Sequence, residues 1–366
     1  QGDGRDHELA KDCMHVISSF SIAAALERRT VRRAEHDMRR ACAAIDICGQ
    51  SSHPPQRSRF MRPSTPRQPP APTPADVRLG PLLAVPALLR EAGIDPAPLL
   101  ARYGLDESAF DDADARVPFV AAAHLLHDAA LATGREDFGL IAGRHVGADA
   151  LGALSPLMLC AASVGDALQG LARHLALHDR GAVVYLAIHR PGIAALGYAV
   201  HDDAVPGIGV VYDLAMTIGL AVLRGLCGPQ WRAQEVHLPH ARPRQAGLWR
   251  RHFAAPVVFD ATGAEIWFDA RWLKPPPPMA DAAEQLALLR AAQLGEARQA
   301  LGWTERTQHV ALALLMTGSL SADRVAHVLA VHPRTLRRRL ADEGSRLQTL
   351  FSAARLHFAC QLLRQT

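Results

Sequence analysis

Apolar residues change their spacing twice along the middle of the chain. From about Val77, "LGPLLAVPALLREAGIDPAPLLARYGL" gathers them into two runs at helical spacing, broken at Gly93 to Pro96, which predicts two short helices. "VPFVAAAHLLHDAALATG" repeats the helical spacing up to Gly134, a C-terminal stop, and "SVGDALQGLARHLALHD" is amphipathic, with Ser163 placed to cap it. The period then falls to two. "GAVVYLAIHR" and "GIAALGYAV" flank Pro191-Gly192 and predict an antiparallel hairpin. A long apolar helix is expected over about Gly207 to Leu226, and short strands near "AQEVHLPH", "APVVFD" and "AEIWFDA". Helices first and hairpin strands later predict an α+β domain, not a repeating βαβ sheet. It should end near Trp272, because Pro275 to Pro278 read as a stiff extended spacer. Everything beyond returns to helical spacing: "MADAAEQLALLRAAQLGEARQAL", "TERTQHVALALLMTG" and "SADRVAHVLAV".

Residues before about 77 show no such order. A polar start, the charged run Arg28 to Arg40 and "SSHPPQRSRFMRPSTPRQPPAPTP" predict a low-complexity extension ending in a linker. The basic run could contact nucleic acid, but its interspersed acids favour a solvated helix. Because the chain begins with Gln and Met61 precedes the proline-rich stretch, the natural start is expected at Met61. The expected segments are thus 1–76 extension and linker, 77–273 α+β domain, 274–303 proline-rich linker and connecting helix, and 304–366 all-α domain.

Composition modifies this picture little. A length of 366 residues with 49% hydrophobic content supports two proper cores, and a net charge of +4 describes a mildly basic chain. Only Lys11 and Lys274 among 40 Lys+Arg residues are lysine, so arginine density by itself proves nothing. Six scattered cysteines without a CxxC pair argue against disulfides or structural zinc and fit a reducing cytoplasm. Charge, polar and proline breaks interrupt every long apolar run, so neither a membrane span nor a signal peptide is indicated.

The position of charge is informative in "SADRVAHVLAVHPRTLRRRLADEG". Ser321 can cap a short helix carrying Val325, Val328 and Leu329 inward, and small Ala326 lets a second helix approach. After a turn over Ala330 to His332, Pro333 suits the first position of that second helix. There Leu336 and Leu340 supply a buried stripe, so Arg334, Arg337 and Arg338 point outward with Thr335 beside them. Two helices and a tight turn make a helix-turn-helix, and outward arginines on its second helix are what guanine edges and phosphates require. Each arginine taken singly also fits a solvated face; the whole arrangement favours DNA. Arg339, near the core boundary, is assigned to packing or phosphate contact.

Other chemistry finds less support. His174 and His178, four apart and followed by Asp179, could share a metal, but no third ligand stands at recognisable spacing. His124 with His127, and His237 with His240, read the same way. The sequence has no GxSxG elbow, P-loop, dinucleotide-binding glycine pattern or HExxH, and "GALSP" around Ser155 is no elbow either. An enzyme, a cofactor and a metal are therefore not expected. Tyr185, His189 and Trp267 are candidates for an effector site and equally for core or rim.

"LSADRVAHVLAVHPRTLRRRLADEGSRLQTLFSAARLHFACQLL" resembles the DNA-binding region of AraC-type transcription regulators, carried by Leu336, Arg338, Leu340, Glu343, Gly344 and Arg355. Residues from about Leu79 to Trp272 are similar to the effector-sensing domain of one branch of that family, most visibly in "LARHLALHDRGAVVYLAIHR". The resemblance implies a cytoplasmic bacterial regulator controlled by a small molecule, with promoter DNA, RNA polymerase and a second copy of the chain as partners. Such regulators pair two helix-turn-helix units, whereas this chain stops at "FACQLLRQT", within the expected connecting helix. The second unit is expected to be missing, which leaves open an effector-binding or dimerisation module without specific DNA binding. Ala330 stands where a turn glycine is frequent; a left-handed alanine there would cost about 1 kcal/mol.

Overall fold

The computed structural model describes residues 75–201, 205–298, 302–329 and 331–364, all within the unit Pro69–Thr366. The expectations for the linker before residue 75, the Arg28 to Arg40 run and Met61 lie outside the described residues. Strand β1 (Asp76–Arg78) leads into α1 (Val85–Glu91) and α2 (Ala97–Ala101), each with proline in its first turn, where no amide donor is needed. β2 (Arg116–Pro118) returns antiparallel to β1 and runs directly into α3 (Phe119–Thr133). That helix ends at left-handed Gly134. Next come α4 (Phe138–Val146), α5 (Leu154–Leu159) and α6 (Val164–His174). The Ser163 hydroxyl accepts the Asp166 amide at 3.1 Å and so caps α6.

The hairpin follows as β3 (Ala182–Arg190) and β4 (Ile193–Val200), and α7 (Ile208–Cys227) comes after it. β5 (Glu235–His237), α8 (Gly247–Phe253), β6 (Val257–Val258) and β7 (Ala264–Asp269) complete a sheet of order β3-β4-β7-β5-β6. All neighbours are antiparallel except β5 and β6, between which α8 serves as the crossover that a parallel pair requires.

Helix α7 is long and apolar enough to cross a membrane, yet 61% of its most apolar stretch is buried among the other elements. Its buried Asp213 accepts hydrogen bonds from Trp249 Nε1 at 2.7 Å and from His240 Nε2 at 3.0 Å, so α7 is a core helix with a satisfied acid. α4 crosses it closely, because Gly139 and Gly143 share one face. A Cβ on either would lie 2.4 Å from Val210 O or 2.6 Å from Thr217 Cβ. Glycine is a poor helix former, which explains why the sequence pattern did not announce α4.

The chain then continues as α9 (Ala282–Arg298), α10 (Trp303–Met316), α11 (Ala322–Val328), α12 (Pro333–Asp342) and α13 (Leu347–Arg364). The expected proline spacer is docked instead of free: Pro277 is buried, and the Val164 amide donates to Pro275 O at 2.9 Å. Leu288, Leu289 and Ala292 of α9 pack on the main core as well. The strongest tie lies on the outer face of the sheet, where Val183, Tyr185, Ala187, Ala195 and Ala199 bury Leu312 of α10. Both faces of β3 and β4 are thereby covered, so these strands are apolar nearly throughout instead of alternating.

Candidate nucleic-acid interface and sensor cavity

α11 and α12 close over a small separate core formed by Val325, Ala326, Leu329, Leu336, Leu340 and Leu350, whereas Val328, expected inward, is exposed on the other side of α11. Ser321 Oγ accepts the Arg324 amide at 3.2 Å and starts α11. Pro333 opens α12, and His332 Nδ1 accepts the Arg334 amide at 3.2 Å. That histidine cap was missed by sequence reasoning, since His is not among the common cap residues. α12 stops at left-handed Gly344, after which the Ser345 amide returns to Leu340 O at 2.8 Å. Ala330 lies outside the described residues.

Leu336 and Leu340 are 0% exposed and fix the inside of α12. Arg334, Arg337 and Arg338 are exposed, with Thr335 half-buried beside them. Among the described residues, none of these three arginines forms an ion pair. Arg339 differs, because its guanidinium lies 4.6 Å from the Trp303 ring centre, with Arg306 at 4.7 Å from the same ring.

Glu343 links α12 to α10. Its carboxylate accepts the Trp303 amide at 2.7 Å and the Thr304 amide at 2.8 Å, which caps the start of α10 with a full negative charge. Burial alone would raise this carboxyl; the amide donors outweigh it and hold Glu343 below the usual carboxylate range. The cap spans forty positions, so no local signal in the sequence could have revealed it. α10 thus has two partners: Leu312 in the sheet cluster, Val310 and Leu314 against the α11–α12 core.

On the opposite face of β3 and β4 lies a cavity bounded by α3, α6 and α7. Aliphatic and aromatic carbon makes up nearly all of its wall, and one end is polar. There Asp179 accepts the Tyr198 hydroxyl at 2.8 Å and the Gly181 amide at 2.7 Å. Burial pushes the Asp179 carboxyl up to about 6, against these two donors. Burial, together with Arg78 and Arg116 nearby, lowers His178 to about 3, so its ring is neutral. Arg78 Nη1 lies 3.5 Å from His178 Nδ1. A guanidinium can only donate, so Nδ1 accepts and the ring proton sits on Nε2.

The other candidate residues fall elsewhere. α6 ends at His174, and a tight turn over Leu175–Leu177 separates it from His178. Tyr185, His189 and Trp267 converge on Glu265, at 3.0, 2.8 and 2.6 Å, on the outer face of the sheet and not in the cavity. His237 bonds Glu235 and stacks on Trp267, while His240 holds Asp213. Ser155 donates to Ala148 O at 2.6 Å. Among the described residues, no group of three His, Cys, Asp or Glu side chains is placed to hold a metal.

Residues 93–277 match the model of the N-terminal arabinose-binding domain of AraC transcription regulators. The chain belongs to the AraC family of transcription regulators. The matched segment begins between α1 and α2 and ends in the docked proline run, so it contains the sheet and most of the cavity wall. A relative, the HTH-type transcriptional regulator VirS of Mycobacterium tuberculosis, is 29% identical over 280 residues, covering 76% of this chain and 82% of the relative, in each of two strains. A solved structure, the transcriptional regulator CdpR from Pseudomonas aeruginosa, aligns with a TM-score of 0.46 and 22% identity, over 78% of this chain and 86% of that one.

Proposed function

We propose that the protein is a ligand-responsive, DNA-binding transcription factor, a binding protein of the bacterial cytoplasm and not an enzyme. In this reading residues 77–273 sense an effector, and residues 304–366 carry a helix-turn-helix whose second helix, α12, enters the major groove of promoter DNA. The carrying observation is that Arg334, Arg337 and Arg338 stand exposed and unpaired among the described residues, on a helix whose other side is locked by Leu336 and Leu340. Arg337 and Arg338 would meet guanine edges or phosphates, with Arg334 and Thr335 nearer the helix start. Ligand response is supported by α10, which packs on the sheet through Leu312 and is held to α12 through Glu343. A ligand acts by favouring one arrangement of this connection over another, since equal affinity for both would shift nothing.

Fluorescence anisotropy with promoter and random duplexes, repeated across a salt series, tests the reading. A regulator prefers the promoter sequence, and its affinity falls steeply with salt. Equal affinities for both duplexes, in the non-specific range of roughly 10⁻⁴ to 10⁻⁶ M, would instead identify an effector-binding or dimerisation module that no longer reads sequence.

A further inference from the structure

We infer that the sensor cavity takes an uncharged, mainly hydrocarbon molecule bearing a hydroxyl at one end. The inference deepens the regulator reading and rests on it for any consequence at DNA. Most of the wall, including Leu82, Phe119, Leu126, Leu171, Val211 and Leu214, offers no hydrogen-bonding group from its side chains. A sugar brought here would lose water at every hydroxyl and find partners for few of them. Hydrocarbon loses nothing by the same transfer.

The polar end selects the head group. The Tyr198 proton is committed to Asp179, so the phenolic oxygen keeps lone pairs with which to accept a hydrogen bond. Asp179 is a second acceptor, and His178, with Nδ1 turned to Arg78, has its proton on Nε2 as a donor. A hydroxyl both donates and accepts and matches this set. A carboxylate would place a second negative charge beside Asp179. Arg78 is not free to offset it, since its Nε donates to Asp114 at 2.7 Å and its Nη1 to Ala150 O at 3.2 Å.

Isothermal titration of the full chain with 1-decanol, decanoate and L-arabinose tests the assignment, at about pH 8, where Asp179 with a value of about 6 is ionised. Decanol should bind saturably, decanoate about tenfold or more weakly, and arabinose without measurable heat. Absence of decanol binding, or decanoate or arabinose binding as tightly, overturns the assignment. Tyr198→Phe should weaken decanol about tenfold while leaving the affinity for decane unchanged; equal affinity for decanol in the variant counts against the head group. Gly219→Leu probes the wall, because a Cβ there makes only ordinary contacts, 3.5 Å to Ile266 Cδ1 and 3.7 Å to Leu196 Cδ2, and a longer side chain fills the space. It should abolish decanol binding with the melting temperature maintained; wild-type decanol binding by the folded variant overturns the site. Anisotropy with promoter DNA separates the two readings. Decanol binding that leaves DNA affinity unmoved sinks the ligand-responsive part of the regulator reading and leaves the ligand assignment standing. Decanoate or arabinose, and not decanol, shifting DNA affinity does the reverse.

Discussion

Arg116 and Arg337 are the same residue in opposite situations. Arg116 lies at the strand pair that opens the sensor and spends its donors inside the fold: Nε and Nη2 reach Asp76 at 2.9 and 2.7 Å, and Nη1 reaches Leu177 O at 2.8 Å. Arg337 lies exposed on α12 with no acid paired to it among the described residues. In a chain whose cations are almost all arginine, residue type says nothing about role. The difference lies in what the neighbouring backbone and acids have already claimed. A guanidinium with its donors satisfied locally stabilises a corner of the fold, and one left over is available to a phosphate or a guanine.

The largest expected effect breaks the scaffold that keeps Arg337 outside. Leu336→Ala removes a fully buried side chain from the α11–α12 core and should cost roughly 2 to 5 kcal/mol in urea unfolding, with DNA binding lost alongside. A cost below about 1 kcal/mol would mean that this core does not orient the helix. The comparison itself is sharpened by two alanine variants measured both ways. Arg337→Ala should weaken promoter binding by about 1 to 3 kcal/mol and relax base preference, with stability changed by less than about 0.5 kcal/mol. Arg116→Ala should lower stability by roughly 1 to 3 kcal/mol, a range reduced because the pair is partly exposed, and leave the salt dependence of DNA binding unchanged. Equal losses of DNA affinity in both variants would erase the distinction.

Glu343→Gln follows with a smaller effect. Gln can still accept one amide at the start of α10 but loses the charge, so about 1 kcal/mol of stability should go. If α10 carries the sensor's state to α12, the same variant should also reduce the change in DNA affinity that a ligand produces. An unaltered ligand response would show that the coupling bypasses this cap.

How much of this was legible depended on range. The hairpin, the Ser163 cap, the Gly134 stop and the buried stripe of Leu336 and Leu340 are all written in neighbouring residues, and the sequence pattern located them. Three short helices, α4, α5 and α8, went unread: too few turns to establish a period, and in α4 glycines chosen for close approach to α7 instead of helix propensity. The pairing of β1 with β2 and the reach of Glu343 to Trp303 each join residues about forty positions apart, which no local pattern encodes. For the exposed side of α12, the residue types and their spacing sufficed to nominate Arg334, Thr335, Arg337 and Arg338. The sensor cavity was beyond reach, since His178 and Asp179, at the corner between α6 and β3, read only as part of an incomplete metal set, and Tyr198 as one more residue of an apolar strand.

That corner yields the smallest net effect and the most diagnostic one. His178, at 6.5 when unfolded, is lowered to about 3, first by burial and then by Arg78 and Arg116. Between those values the unfolded chain holds a proton that the folded one does not, so His178 contributes stability that is fully present above about 6.5 and is lost as pH falls. Asp179, at 3.8 when unfolded, is raised to about 6 by burial, partly countered by Tyr198, Gly181 and Arg116, with Asp76 acting in the same sense as burial. Here the folded chain holds the extra proton, so stability grows as pH falls from about 6 toward 3.8. Over the shared window, about pH 4 to 6, the two slopes cancel, and this pair should leave unfolding free energy nearly flat. Asp179→Asn should expose the histidine alone, with stability falling by roughly 1.4 kcal/mol per pH unit on acidification. His178→Gln should reverse the sign. Urea titrations at several pH values decide it: parallel profiles for the wild type and both variants would mean that neither group titrates differently in the folded and unfolded chains.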